Sequence, residues 1–348
     1  MPWWTRLAIA VAAIPATIGA AFAQDPVEQF YRGRSISLYV GGAAGGGYDA
    51  YARALGRHMG KYIAGNPTVV VQNMPGAGSN KAASYLYSVA PKDGTAIAAL
   101  FPGAILAPLL TDTPIQHDPT KFTFVGSANS DVYTCVVRTD APIKSFKDVF
   151  TQEIIVGASN EGGTTRDMPT LSNNVLGTKF RVVTGYSGTR EITLAVERRE
   201  THGLCGFGYT SLLSVRPQWV ADKFVRIIVQ ENAKGAAALN KQGVPRTVDF
   251  AKTPEDRQVM ELVYSQAVIG RPYVLPEGVP RERVVALRKA FMAALADPAL
   301  LAEAAKMKLD VEPMSGDDVQ TMVTQLFAMP KRIVERAKQA LIYKPPAR

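Results

Sequence analysis

The sequence predicts an α/β protein of two domains, each a largely parallel sheet flanked by helices. Three observations carry this. The chain has 348 residues, and soluble domains run about 100 to 200 residues each. Short apolar runs alternate with helix-like stretches, and several run-to-helix junctions are rich in glycine. The composition is 47% hydrophobic and 20% charged, which excludes intrinsic disorder and predicts a sizeable core.

Residues 1–23 hold Arg6, an apolar stretch from Leu7 to Ile18 and Ala21-Phe22-Ala23 before Gln24. This is the pattern of a cleavable export signal. Pro15, Gly19 and a length below the roughly 20 residues of a membrane span argue against an anchor. The mature chain is expected to be soluble, monomeric and, in a bacterium with a periplasm, periplasmic. Ser35 to Val40 then alternates polar and apolar residues as a strand, Gly41 to Gly47 forms a glycine-rich loop, and Tyr48 to Lys61 is helix-like. The rhythm repeats with a strand at 68–72, the turn Asn73 to Gly78 and a helix over 80–90. Further strands are predicted at 95–101 and 123–127.

A second series follows, with strands at 132–138, 153–156, 181–184 and 225–230, a short helix at 145–150 and a helix at 190–199. From Pro280 the pattern turns helical, with Val284, Leu287, Phe291 and Leu295 on one face. Asp297-Pro298 starts another helix by its cap and first-turn proline. Ser315 and Asp318 have capping-box-like spacing for a third, which Pro330 kinks or breaks. These helices are expected to pack back on the first domain.

Lys and Arg total 39 against 30 for Asp and Glu, but the basic residues are scattered beside acids, so no nucleic acid partner is predicted. Two cysteines and three histidines show no metal-binding spacing, and no metal site is expected. The loop at 41–47 lacks the phosphate-loop and dinucleotide fingerprints, and no nucleophile elbow occurs, so neither a cofactor nor a catalytic residue is nominated. What remains is the loops themselves. Helix N-termini present unpaired N–H donors and partial positive charge, which suit a carboxylate without any catalyst. The plain alternative is that glycine only permits tight turns.

Tyr31 to Val40, then Ala43-Ala44-Gly45-Gly46-Gly47-Tyr48-Asp49, Asn73-Met74-Pro75-Gly76-Ala77-Gly78, Asp93-Gly94, Gly185-Tyr186-Ser187-Gly188 and Val244 to Val248 together resemble the tripartite tricarboxylate transporter receptors, the TctC-like or Bug family. The resemblance covers essentially the whole mature chain. It implies a type II periplasmic binding protein of the Venus-flytrap kind, two lobes each with a mixed, largely parallel sheet. Lobe one would be 27–129 with 265–348, and lobe two 130–264. It further implies a non-enzymatic receptor that captures a small carboxylate and delivers it to integral membrane transporter subunits. The chain departs from the family pattern at Gly41-Gly42, Met74 and Ser187, and Glu161 adds a negative charge to a second-lobe loop.

Family binding positions carry over to Gly45, Gly46, Asp49, Ser159, Thr164, Tyr186 and Gly188. Asp49 either meets a ligand donor or caps its own helix. Arg190 either forks onto a carboxylate or pairs with Glu191 or Glu197. Tyr209 either lines the cleft or fills the core. Cys135 and Cys205 are a candidate disulfide in an exported protein, or two buried thiols. Two other functions use the same cleft: an exported α/β enzyme acting on a carboxylate, distinguished by turnover, and a ligand-sensing module of a signalling system, distinguished by an output independent of uptake.

Overall fold

A computed structural model describes residues 25–159, 163–186 and 188–343. The predicted export signal and Glu161 and Ser187 lie outside the described residues. In chain order the elements are α1 (Pro26–Tyr31), β1 (Ser35–Val40), α2 (Gly47–Met59), β2 (Thr68–Asn73), α3 (Asn80–Ser88), β3 (Ala96–Ala99), α4 (Pro102–Leu110) and β4 (Thr123–Ser127). Then come β5 (Tyr133–Arg138), β6 (Ile154–Gly157), α5 (Thr164–Leu176), β7 (Phe180–Val183), α6 (Thr189–Glu197), β8 (Gly203–Gly208), α7 (Tyr209–Val215), α8 (Pro217–Ala221) and β9 (Val225–Glu231). The chain closes with α9 (Ala237–Lys241), α10 (Pro254–Ile269), β10 (Pro272–Leu275), α11 (Arg281–Leu295), α12 (Pro298–Lys306), β11 (Met314–Ser315), α13 (Gly316–Phe327) and α14 (Lys331–Leu341).

Two mixed sheets result, ordered β11-β4-β10-β3-β1-β2 and β7-β6-β8-β5-β9. In the first, β1 pairs parallel with β2 and β3, while β10 runs antiparallel between β3 and β4. In the second, β6 pairs parallel with β7 and β8, and β5 runs antiparallel to β8 and β9. Helices flank both sheets, as expected for a two-lobed α/β fold.

Local chemistry explains the packing. On α2, Tyr51, Ala52, Leu55 and Met59 are buried at helical spacing, and each large apolar side chain contributes about 1.5–3 kcal/mol by burial. On α11, Leu287 and Phe291 face the first sheet. Gly126 on β4 makes room, since a Cβ there would stand 2.5 Å from the Phe291 ring.

The sequence reading missed α1, α4, α5, α7, α8, α9, α10, β8, β10 and β11, and the predicted helix at 145–150 is a 3-10 turn, Phe146–Phe150. Three glycines mask β8; Gly203 is required because a Cβ would meet the Val136 carbonyl at 2.0 Å. Pro272 masks β10, yet it occupies the first position of the strand, where the missing N–H is tolerated. Pro330 breaks the last helical stretch, with α13 ending at Phe327 and α14 starting at Lys331. The C-terminal helices pack on first-sheet elements through α11, α12 and α13, but α14 lies against α4, α10 and α5. Asn174 on α5 donates to the Ala340 carbonyl (2.9 Å), and Tyr343 donates to Val182 on β7 (2.6 Å). The final helix therefore ties both sheets together instead of joining the first alone.

Between β4 and β5, and between α10 and β10, the chain passes from one sheet's region to the other's. The two connections run side by side. Ala128 N donates to Arg271 O (3.0 Å), Arg271 N to Asn129 O (3.1 Å) and Asp131 N to Ala267 O (2.9 Å). Ser127 Oγ adds a bond to Ile269 O at 2.7 Å. Gly270, at φ +60°, cannot be replaced without strain, since a Cβ would approach the Asn129 carbonyl to 1.9 Å.

Candidate functional site

Ligands of open α/β sheets bind beyond the carboxyl ends of the strands. Here those ends carry the loops singled out in the sequence. Helices α2, α5 and α6 start at Gly46, Gly163 and Gly188, and none receives a side-chain cap from its own N-cap residue. Helices α1, α10, α12 and α13, which do not follow parallel strands of these sheets, are capped by Asp25, Thr253, Asp297 and Ser315. The glycine-started helices thus keep donors and the positive end of the helix dipole available.

In the first lobe, Gly45 has φ +78° and its N–H donates to Asp49 Oδ2 at 2.8 Å. Gly46 N donates to Ala43 O at 3.3 Å, closing the turn, and residues 43–47 are exposed. Asp49 is buried, and its oxygens also accept from Arg53 Nε (3.0 Å) and Asn73 Nδ2 (2.9 Å). Burial opposes its ionisation, but the three donors prevail and hold its pKa below the ordinary value. Asp49 accordingly braces the loop, and its acceptors are spent on the protein.

In the second lobe, Ser159 N donates to Thr165 Oγ1 (2.9 Å), and Thr164 Oγ1 donates to the Gly206 carbonyl (2.8 Å). Gly206, at φ +64°, lets that carbonyl approach, because a Cβ would strike Thr164 O at 2.1 Å. Tyr186 is half-buried with its ring edge against Gly157, and it packs on the small core of Ile192, Val196 and Trp219. Gly188 opens α6, and Arg190 stands exposed in its first turn. Tyr209 N donates to Val132 O at 2.8 Å, and its ring packs on the same small core. The structure joins Cys135 on β5 to Cys205 on β8 as a disulfide. It gathers the predicted residues within each lobe, while no hydrogen bond joins the two sets among the described residues.

What links the lobes at this level was missed in the sequence. Tyr48, one residue into α2, donates to Gly270 O on the second of the two inter-sheet connections at 3.0 Å. Asp131, from the first connection, accepts from Val132 N (2.8 Å), Thr210 N (3.3 Å) and Thr210 Oγ1 (2.7 Å), which serves the start of α7. Arg271 is buried beside them, its guanidinium over the rings of Tyr51 (4.3 Å) and Tyr48 (5.5 Å). Burial raises the pKa values of Asp131 and Tyr133, and pushes Tyr48 up to about 12. The one signal that the sequence reading used is Tyr48 in the loop motif.

Other clusters do not compete. A groove of about 570 Å³ beside β2 is lined by Arg53, Arg57 and Lys61, but these cations pair with Asp49, Glu303 and Asp297. Cys135, Cys205 and Glu231 lie close enough to suggest a metal site, yet both sulfurs are consumed in the disulfide. No helix among the described residues is long and apolar enough to cross a membrane.

The architecture defined by these elements is a two-lobed α/β fold of two mixed sheets flanked by helices. It is the fold of the TctC and Bug solute-binding proteins. A TctC solute-binding protein from Polaromonas, solved without ligand, aligns at TM-score 0.65 with 19% identity, covering 88% of this chain and 99% of that one. BugD, a periplasmic binding protein, aligns at TM-score 0.64 with 22% identity over 89% and 98% of the two chains. MatC from Rhodopseudomonas palustris, solved with bound malate, aligns at TM-score 0.63 with 18% identity over 89% and 99%. The chain is also 26% identical over 342 residues, 95% of each sequence, to a UPF0065 protein of Cupriavidus necator. No protein-family model matches. These likenesses support the TctC/Bug assignment that the motifs carry.

Proposed function

We propose that this protein is an extracytoplasmic receptor that binds a small carboxylate between its lobes, without turnover, and delivers it to membrane subunits of a tripartite tricarboxylate transporter. The lobes would be 27–129 with 265–348, and 130–264, with α14 bridging them. The observation that carries the reading is the set of glycine-started, uncapped helices α2, α5 and α6, drawn from both sheets. Relatives of the same fold support the ligand class, since one was solved with malate and another, from R. palustris, with adipate. A ligand that bridges both lobes favours the closed state and shifts the population towards it.

The test is native mass spectrometry of exported protein, then a thermal-shift panel of mono-, di- and tricarboxylates and small-angle scattering at saturation. Binding raises stability by RT ln(1 + [L]/Kd), and the scattering radius falls. Gly46→Val is expected to weaken binding at least ~5-fold by covering the loop amides. The apo fold should persist, because Gly46 sits at φ −82° and a Cβ meets only Ala43 O at 3.3 Å. A panel with no stabilising carboxylate, or compaction and affinity untouched by Gly46→Val, refutes the placement. Uptake assays in a receptor-deletion strain test the transport role.

A further inference from the structure

We infer that Arg271 is a ligand-contact residue, whose guanidinium receives a carboxylate of the ligand at the first turn of α2. This rests on the receptor reading above and adds a charged anchor to it. Arg271 is 9% exposed. Its Nη1 donates to Asn129 Oδ1, and its Nε is buried without a partner. Nη2 makes no hydrogen bond among the described residues and lies 3.9 Å from where a Cβ of Gly47 would stand. The open edge of the fork therefore faces the start of α2, a 13-residue helix with no side-chain cap.

The neighbouring acceptors are already occupied. Asp131 accepts from Val132 and Thr210, Asp49 accepts from Gly45, Arg53 and Asn73, and the Tyr48 hydroxyl is turned to Gly270 O. A buried guanidinium edge without an acceptor is costly, and native proteins rarely leave one without a reason. A carboxylate suits the reachable Nη2, which donates a charge-assisted N–H, and the N–H groups of the α2 first turn add to the same charge. The rings of Tyr48 and Tyr51 hold the guanidinium plane in place. Glycine at 47 keeps the edge open, since a long side chain there would cover it.

The experiment titrates adipate, malate and adipamide into wild-type protein, Arg271→Lys and Arg271→Gln by calorimetry, with unfolding temperatures measured alongside. Arg271→Gln is expected to lose at least ~30-fold in adipate affinity, as for truncation of one partner of a buried charge pair. Its preference for adipate over adipamide should shrink by the same factor. A purely structural role would weaken both ligands equally. Arginine-detected NMR on the wild type gives a readout that needs no variant to fold: the Arg271 Nε–H resonance should shift at adipate saturation. An unmoved resonance, or wild-type affinity in Arg271→Gln, overturns the inference while leaving the receptor reading intact. Failure of the wild type to bind any carboxylate overturns both.

Discussion

Replacing Glu231 with glutamine should stabilise the protein at neutral pH and destabilise it slightly, by less than about 1 kcal/mol, near pH 4.5. Glu231 ends β9 fully buried, with Oε2 accepting from Gly206 N at 2.6 Å and Oε1 without a partner. One carboxylate oxygen lies within 4.8 Å of the sulfurs of Cys135 and Cys205. Tyr133 from β5 and Tyr264 from α10 are the titratable groups that feel it. Burial raises its pKa from 4.5 to about 8, against the opposing Gly206 N–H bond. Between those values the folded chain holds a proton that the unfolded chain releases, so stability falls as pH rises from 4.5 to about 8. At pH 7 the loss amounts to roughly 3 kcal/mol, at about 1.4 kcal/mol per pH unit. Glutamine stays neutral and keeps the carbonyl for Gly206, but its extra buried N–H costs about 1 kcal/mol. The net gain is therefore about 2 kcal/mol at pH 7. Urea unfolding of both proteins at pH 4.5, 6, 7 and 8 reads it directly. A difference between them that does not change with pH would refute the assignment of a protonated, buried Glu231.

Two further outcomes follow from the backbone. Cys135→Ala with Cys205→Ala removes a crosslink over a separation of 70 residues, and should cost about 4 kcal/mol in urea unfolding; a loss below about 1 kcal/mol would contradict a bridge that restrains the unfolded chain. Gly270→Ala forces a Cβ to 1.9 Å from Asn129 O at φ +60°, so the connection must shift. It should lower stability by at least ~2 kcal/mol and change the scattering radius of the apo protein, and an unaltered radius with unaltered stability would show that the connection tolerates the strain.

The strands readable in the sequence were short apolar or alternating runs with at most one glycine and no proline. β1 alternates exposed and buried residues, and β1, β2 and the α2 face follow from periodicity alone. β8 and β10 were hidden for a different reason. Burial throughout is not the reason, since β3, β4 and β5 are buried almost as completely and were read from their apolar runs; the glycines of β8 and Pro272 of β10 interrupt the run, and they serve contacts with distant backbone that a local pattern cannot show. α5 was hidden because Pro169 and polar residues interrupt it, while its apolar face is completed by α10 and α14.

The site divides in the same way. Its backbone half was visible, because a glycine at the start of a helix departs from the Asp, Thr and Ser caps that begin α1, α10, α12 and α13. A missing cap alone does not mark a binding helix, since α3, α4, α7, α8, α9, α11 and α14 lack one too; in α2, α5 and α6 it coincides with the glycine loops of the family motifs. Its side-chain half was not visible. Arg271 is remote in sequence from Gly47, and only the antiparallel crossing of 127–131 with 267–271 carries its guanidinium beneath α2. A loop of backbone donors accepts any carboxylate, so discrimination among ligands has to come from groups of fixed position and charge. The inferred contact at Arg271 would supply such a group from the crossing of the two inter-sheet connections, a position fixed by the backbone hydrogen bonds between 127–131 and 267–271.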